Sequence, residues 1–241
     1  MSYQAIGDNA RIRLVFLGCG EVTKKHVGRA RYADKNLQLS FASRTLEKAE
    51  AYKLKHKGSH AFGSYDEAIT SSEIDVVMIN TPPNSHYELA KKVLDAGKHL
   101  IVEKPPFLDS SRFDEIGALA DSKVLQFMVA ENYFYKPLRF RIEEIIREKL
   151  IGDPLFIQIN ATKTQKSKND WREDKDITGF GALFEGGIHW ISFINNIGLK
   201  IKEAKGFIPK QASDLERSIQ VTAETEEGAV INLIYLSLIH I

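Results

Sequence analysis

The chain has 241 residues, with 33 Lys and Arg against 32 Asp and Glu, 43% hydrophobic residues and one cysteine. A net charge of +1 leaves no surplus to neutralise a phosphate backbone, so nucleic acid is a poor partner, and one cysteine excludes an internal disulfide. The N-terminus lacks the basic-then-apolar order of a signal peptide and no apolar run is long enough to span a bilayer, so the expectation is a soluble, cytoplasmic protein of one large domain or two modest ones.

Strand and helix patterns alternate through the first half. RIRLVFLG (Arg11 to Gly18) reads as a buried strand and EVTKKHVGRARYA as the helix after it. LQLSFAS then leads into TLEKAEAYKLK, IDVVMIN into HYELAKKVLDAG, and HLIVE into FDEIGALAD, with KVLQFMVAE as a last strand. Continuous apolar runs separated by amphipathic helices predict an α/β, doubly wound parallel sheet of the Rossmann kind over residues 1–131. Beyond Pro137 the pattern changes. RFRIEEIIREKL is helical, whereas LFIQINATK, SIQVTAET and AVINLIY alternate with period two. Residues 132–241 are therefore expected to form an α+β domain with a mostly antiparallel sheet. The ending, YLSLIHI, stops inside an apolar run, and the expectation is a truncated chain.

The first strand ends in Gly18-Cys19-Gly20-Glu21-Val22-Thr23. Two glycines at a strand-to-helix turn let backbone approach a pyrophosphate at the helix N-terminus. The third position of the usual fingerprint holds Thr23 in place of a small residue, and many α/β turns carry two glycines for steric reasons alone. Cys19 reads as a small filler. At the end of the second strand, where an NAD site places a carboxylate for the ribose, the chain has Ser43-Arg44. A hydroxyl and a guanidinium suit a 2′-phosphate, so NADP is the preferred cofactor, with NAD as the alternative if Arg44 is only a solvated turn residue.

Further motifs are Asn80-Thr81-Pro82-Pro83-Asn84-Ser85-His86, then Gly97-Lys98-His99 leading to Glu103-Lys104-Pro105-Pro106, then Ala130-Glu131-Asn132-Tyr133. Asp170-Trp171-Arg172 and the segment from Gly179 to His189 follow. With Gly18-Cys19-Gly20 these resemble the glucose–fructose oxidoreductase / inositol dehydrogenase / MocA-like family, from about residue 11 to the end. The resemblance implies cofactor contacts from Gly18, Cys19, Gly20, Glu21, Val22, Ser43, Arg44, Asn80, Thr81, Pro82, Asn84, His86, Glu103, Lys104 and Asn132. It implies hydride transfer between the nicotinamide and a hydroxyl or carbonyl carbon of a sugar, cyclitol or related polyol. It also implies association of subunits through the open face of the C-terminal sheet where that sheet is complete. The pattern departs from the family at Glu185 and Ser192, where the family usually has Asp.

The residues themselves point the same way. Lys104 stands at the carboxyl end of a parallel strand, where open α/β sheets bind ligands, and Pro105 fixes the turn after it. A surface lysine in a Pro-rich turn is the bland alternative. From Gly181 to Asn196 a helix would be apolar nearly all round, except for a stripe of Glu185, His189, Ser192 and Asn196. Buried polar groups need partners, which means either a network or a ligand. Gly186 and Gly187 are expected to let something flat approach. Imidazole titrates near neutrality, so His189 is the candidate general acid/base. Lys104 would bond the reacting oxygen, Glu185 would orient the pair, and Arg172 would contact substrate. A structural histidine is the alternative for His189. No histidine spacing suggests a metal. Two rival functions stay open: a nucleotide-binding sensor of the same fold, and an NAD-dependent glycoside hydrolase.

Overall fold

A computed structural model describes residues 11–34, 36–164, 174–179, 181–210 and 215–238. The chain divides into two compact units, Met1–Ala130 and Glu131–Ile241.

In the first unit the strands are β1 (Arg13–Leu17), β2 (Gln38–Ala42), β3 (Ala61–Phe62), β4 (Val76–Ile79), β5 (His99–Val102) and β6 (Phe127–Val129). They form one sheet in the order β3-β2-β1-β4-β5-β6, parallel throughout. The helices are α1 (Glu21–Ala33), α2 (Leu46–Lys55), α3 (Tyr65–Thr70), α4 (His86–Asp95) and α5 (Ser110–Ser122). Side chains leave a strand to alternate faces, so β1 feeds two cores. Val15 and Leu17 join α3, α4 and α5 through Ile69, Val93 and Ile116. Leu14 and Phe16 join α1 and α2 through Val27 and Tyr52. Both faces are covered, which is why these strands read as unbroken apolar runs. The pair β3 and α3 was not expected from the sequence, being too short to show a period.

The second unit opens with α6 (Pro137–Arg147), which Pro137 starts with a preset φ. β7 (Phe156–Thr164) and the short α7 (Lys175–Thr178) follow. A π-turn, Leu183–Gly187, runs directly into α8 (Ile188–Asn195). Three more strands follow: β8 (Ile201–Phe207), β9 (Ser218–Thr225) and β10 (Val230–Leu238). The sheet order is β7-β10-β9-β8. β9 is antiparallel to both neighbours, while β10 pairs with β7 in parallel. One face carries Ile219, Ala223, Ile231, Leu233 and Tyr235, packed with Phe193 and Ile194 of α8. The sheet is therefore mostly antiparallel, with one parallel pair. β8 was missed in the sequence because six of its seven residues are exposed and leave no alternation to read.

Candidate functional site

In the order β3-β2-β1-β4-β5-β6 the chain reverses direction of winding between β1 and β4, which opens a crevice at the strands' carboxyl ends. Gly18 follows β1 there and Asn80 follows β4. Gly18 has φ +103°, and a Cβ on it would sit 3.1 Å from the Asn80 carbonyl oxygen, so a side chain is excluded on both counts. Gly20 precedes α1 with open space where a Cβ would be, and as the N-cap it offers that helix no side-chain cap. The helix N-terminus, the positive end of its dipole, stands at the carboxyl end of β1. Thr23, which fills the place of the third glycine, is fully buried. Its hydroxyl donates to the Gly18 carbonyl (2.5 Å) and accepts from Asn80 Nδ2 (3.0 Å). The threonine thus closes the loop with a hydrogen bond where the usual fingerprint relies on smallness. Asn80 Oδ1 is buried with no hydrogen-bond partner among the described residues. A buried orphan acceptor, an uncapped helix N-terminus and an unfilled glycine together fit an NAD(P) pyrophosphate and its flanking ribose.

Cys19 is buried and donates its thiol to the Ala42 carbonyl (3.6 Å). Burial pushes its pKa up to about 11, so it is a filler and no nucleophile. Glu21 pairs with Lys24 on the exposed side of α1, and Val22 is half-buried in its first turn. Ser43 is buried and Arg44 exposed at the end of β2. Lys48, one helical turn beyond Arg44, lies near enough to Cys19 to oppose the rise of its pKa, and Arg44 does the same to Tyr65. Two cations therefore stand near the carboxyl end of β2, close enough to Cys19 and Tyr65 to act on them. Ser43 and Arg44 are the pair expected from the sequence; Lys48, in the first turn of α2, carries no motif that marks it.

The turn after β5 is tied to its surroundings by the partly buried Glu103 and the buried His86. Glu103 Oε2 accepts from the Lys104 backbone N–H (3.1 Å), and its other oxygen pairs with His26 Nε2 of α1. His86 is 1% exposed and lies among three carbonyls: Thr81 O (2.8 Å from Nε2), Pro105 O and Pro106 O (3.0 and 3.1 Å from Nδ1). Burial pushes its pKa below the ordinary histidine value, while the carbonyls and Glu103 pull part of the way back. Thr81 Oγ1 accepts from Ser85 (2.7 Å), while Asn84 lies exposed in the 3₁₀ turn Pro83–Ser85. Glu103 and His86 thus brace the Glu-Lys-Pro turn and the Thr81–Pro82 loop from beneath, and Lys104 sits half-buried on the brace.

In the second unit the buried Glu131 carboxylate meets His189 Nδ1 with both oxygens, at 2.7 and 2.8 Å. Tyr133 stacks on the imidazole (centroids 4.7 Å, 18° between planes) and meets Trp190 edge-on. The π-turn changes the bonding register just ahead of His189, a feature frequent at functional sites. Gly186 and Gly187 do admit a flat group, but it is one of this chain's own: a Cβ on Gly186 would fall 2.3 Å from the Tyr235 hydroxyl. Burial, Glu185 and Tyr133 raise the Tyr235 pKa to about 12, so the phenol keeps its proton. Gly181 is required for another reason. A Cβ there would overlap the Glu216 carboxylate, whose Oε1 accepts from Leu183 N (3.1 Å) at the start of the turn. At the other end, buried Arg139 donates to the Asn196 carbonyl and to Glu143 (2.7 Å each), placing a cation on the negative pole of α8. Asn196 Nδ2 donates to the Ser192 carbonyl (2.7 Å).

The first unit thus brings together Gly18, Gly20, Asn80 and Thr81 at the mouth of the sheet. Asn132 is exposed at the start of the second unit, and Arg172 lies outside the described residues, as do Asp170 and Trp171. Among the described residues no cluster of three metal-ligating side chains occurs, and no helix is long and apolar enough to cross a membrane. Glu131, Lys48, Arg139 and Glu216 were not singled out from the sequence. Lys48, Arg139 and Glu216 carry no motif, and Glu131 stands in one that does not show its partner, since each makes its contact with a distant segment or from within a helix.

Comparison with known proteins agrees with this geometry. Residues 12–131 match the family model described as "Oxidoreductase family, NAD-binding Rossmann fold", and residues 140–238 match the "GFO/IDH/MocA C-terminal domain". A trans-1,2-dihydrobenzene-1,2-diol dehydrogenase of Xenopus tropicalis is 26% identical over 198 residues, 80% of this chain and 59% of that protein. A dTDP-3,4-didehydro-2,6-dideoxy-alpha-D-glucose 3-reductase of Actinomadura kijaniata is 25% identical over 179 residues, 74% of this chain and 53% of that one. This chain therefore spans little more than half the length of either relative. Among solved structures, the fold is shared with GenD2 of gentamicin A biosynthesis in complex with NAD (TM-score 0.86, 21% identity, 100% of this chain and 70% of that one). It is shared equally with the 3-ketoreductase KijD10 from Actinomadura kijaniata in complex with NADP and TDP-benzene (TM-score 0.83, 23% identity, 96% and 71%). The matched models cover both units, and the chain belongs to the Gfo/Idh/MocA oxidoreductase family.

Proposed function

We propose that the chain is an NADP-preferring oxidoreductase acting on a hydroxyl or carbonyl carbon of a sugar, cyclitol or related polyol. The observation that carries this reading lies within the first unit. The uncapped α1 N-terminus after β1, the orphan acceptor of Asn80 after β4 and Lys104 after β5 stand on three adjacent strands at one edge of the sheet. The dinucleotide, when bound, supplies the hydride donor or acceptor. The α1 N–H groups bind its pyrophosphate, and Ser43, Arg44 and Lys48 take a ribose 2′-phosphate. Lys104, braced by Glu103 and His86, is the donor for the reacting oxygen. His189 exchanges the proton of that oxygen, a task worth roughly 10²–10⁴-fold in rate. Glu185 and Arg172 are assigned to substrate hydroxyls. The substrate class is supported by the names of the two relatives, both of which denote rings bearing hydroxyl or keto groups.

The test is incubation with NADPH or NADP+ and a panel of sugars, inosose-like ketones, cyclic diols and glycosides, following cofactor absorbance and glycoside release. Turnover of a polyol or ketone that Lys104→Ala abolishes, with NADPH binding retained, supports the reading. Glycoside release without net cofactor change would indicate the hydrolase. Tight NADPH binding with no turnover on any of the panel would indicate a sensor.

A further inference from the structure

An imidazole offers either of two nitrogens, and which one holds the proton is set by what the other atom meets. In the second unit both oxygens of Glu131 face His189 Nδ1, at 2.7 and 2.8 Å. An ionised carboxylate only accepts, so the proton of the neutral ring belongs on Nδ1. The lone pair is then on Nε2. The carboxylate is itself fixed, since Glu131 Oε1 accepts from the backbone N–H of Tyr133 (2.7 Å) and the residue is 8% exposed. Tyr133 then lays its ring against the imidazole, 4.7 Å between centroids. Lys136 places its ammonium over the same tyrosine ring, 3.2 Å from the centroid. The segment from Glu131 to Lys136 therefore grips the histidine by one edge and one face, and leaves its other edge as the chemical end.

We propose that Glu131 is the positioning residue for His189, holding the proton on Nδ1 so that Nε2 is the atom that exchanges protons with substrate. The inference rests on the reading of His189 as the acid/base and adds where its working atom is and what holds it there. It also gives the orienting task to a carboxylate from the turn before α6 in place of Glu185, which stands in the π-turn. A buried pair of this kind matters through geometry and tautomer more than through charge. An isosteric amide keeps the shape but can donate to Nδ1 as readily as accept from it.

The experiment uses the full chain labelled with 15N-histidine and long-range 1H–15N correlation spectra at pH 8, the His189 ring being assigned by the signals lost in His189→Gln. The wild type is expected to show the Nδ1–H tautomer. Glu131→Gln is expected to convert it to the Nε2–H form or a mixture, Glu131→Asp to keep it, and Glu185→Gln to leave it as it is. For any panel substrate turned over, Glu131→Gln should lower kcat by about 10²-fold or more while the NADP+ dissociation constant stays within about twofold. An Nε2–H tautomer in the wild type, an unmoved tautomer in Glu131→Gln, or conversion by Glu185→Gln instead would overturn the proposal. Should Glu131→Gln fail to fold, the wild-type tautomer and Glu131→Asp still decide it. Because the spectra need no substrate, loss of the oxidoreductase reading and loss of this one are separate results.

Discussion

A methyl group on Gly186 would lie 2.3 Å from the hydroxyl oxygen of Tyr235, although the two residues sit on different elements 49 positions apart. The glycine in the π-turn is thus dictated by a phenol on the facing strand. Alanine would gain about 1 kcal/mol in helical preference. Overpacking of a close contact costs about 1–3 kcal/mol, and at 2.3 Å it wins. Gly186→Ala should lower the urea midpoint, and Gly186→Ala with Tyr235→Phe should recover most of the loss. Equal destabilisation in both backgrounds would mean that the hydroxyl is not the obstacle.

Thr23 makes a second prediction. Its hydroxyl is both donor to Gly18 and acceptor for Asn80, so removing it takes a partner from two partly buried groups. Thr23→Val should cost about 1–3 kcal/mol in stability and weaken NADPH binding, whereas Thr23→Ser should stay close to wild type in both. Denaturant titration and fluorescence titration with NADPH read the two effects separately.

Cofactor choice depends on Arg44 and Lys48. Charge-assisted hydrogen bonds to a phosphate are worth about 1.5–3 kcal/mol, or about 10-fold or more in dissociation constant. Arg44→Ala should weaken NADP+ by that factor and leave NAD+ nearly unchanged, with Lys48→Ala in the same direction but smaller. Isothermal titration with both dinucleotides checks the ratio. An unchanged ratio would remove the preference for NADP.

His86 gives a pH dependence. Its pKa in the folded protein lies below the ordinary value because it is buried, while in the unfolded chain it is about 6.5. Below pH about 6.5 the unfolded chain therefore binds a proton that the folded protein refuses. Its contribution to stability is intact above that pH and is lost as the pH falls toward the folded-state pKa, by up to about 1.4 kcal/mol per pH unit. Urea unfolding between pH 7.5 and 5 should show this slope in the wild type, and a flatter one in His86→Asn from a lower starting stability. Parallel slopes would refute it.

The single cysteine provides a simple probe. With its pKa near 11 and its Sγ bonded to Ala42, Cys19 should be at most about one part in a thousand thiolate at pH 8. It should react with a disulfide reagent orders of magnitude more slowly than in urea-unfolded protein. Rapid reaction in the native state would mean that the loop opens.

The sequence was most informative where a pattern repeats. Parallel strands buried on both faces announce themselves as apolar runs, so β1, β2, β4 and β5 and their helices fall within a residue or three of expectation. β3, two residues long, and the exposed edge strand β8 carry no period and were invisible. The site divides in the same way. Gly18, Gly20, Asn80 and Lys104 are local to a motif and were legible. Thr23 was noticed as a missing glycine, but its two hydrogen bonds depend on Asn80, 57 positions away. Glu131 was quoted for its motif and not for its chemistry, because its partner His189 is 58 positions on. The π-turn has no sequence signature, since one shifted hydrogen bond leaves the residue pattern unaltered.

The parallel pairing of β7 with β10 sets Phe156 against Val230 and Thr164 against Leu238. As the ribosome delivers the chain, β7 emerges some seventy residues before the strand that will pair with it. Until then it offers Ile157 and Ile159 with no sheet to cover them. The described strands of the first unit have all emerged well before that point. Synthesis thus imposes an order: the strands of the dinucleotide half are all delivered before β10, and the sheet of the half that carries His189 waits on it. Slowing translation between β7 and β10 lengthens the interval in which the second unit is open to mispairing.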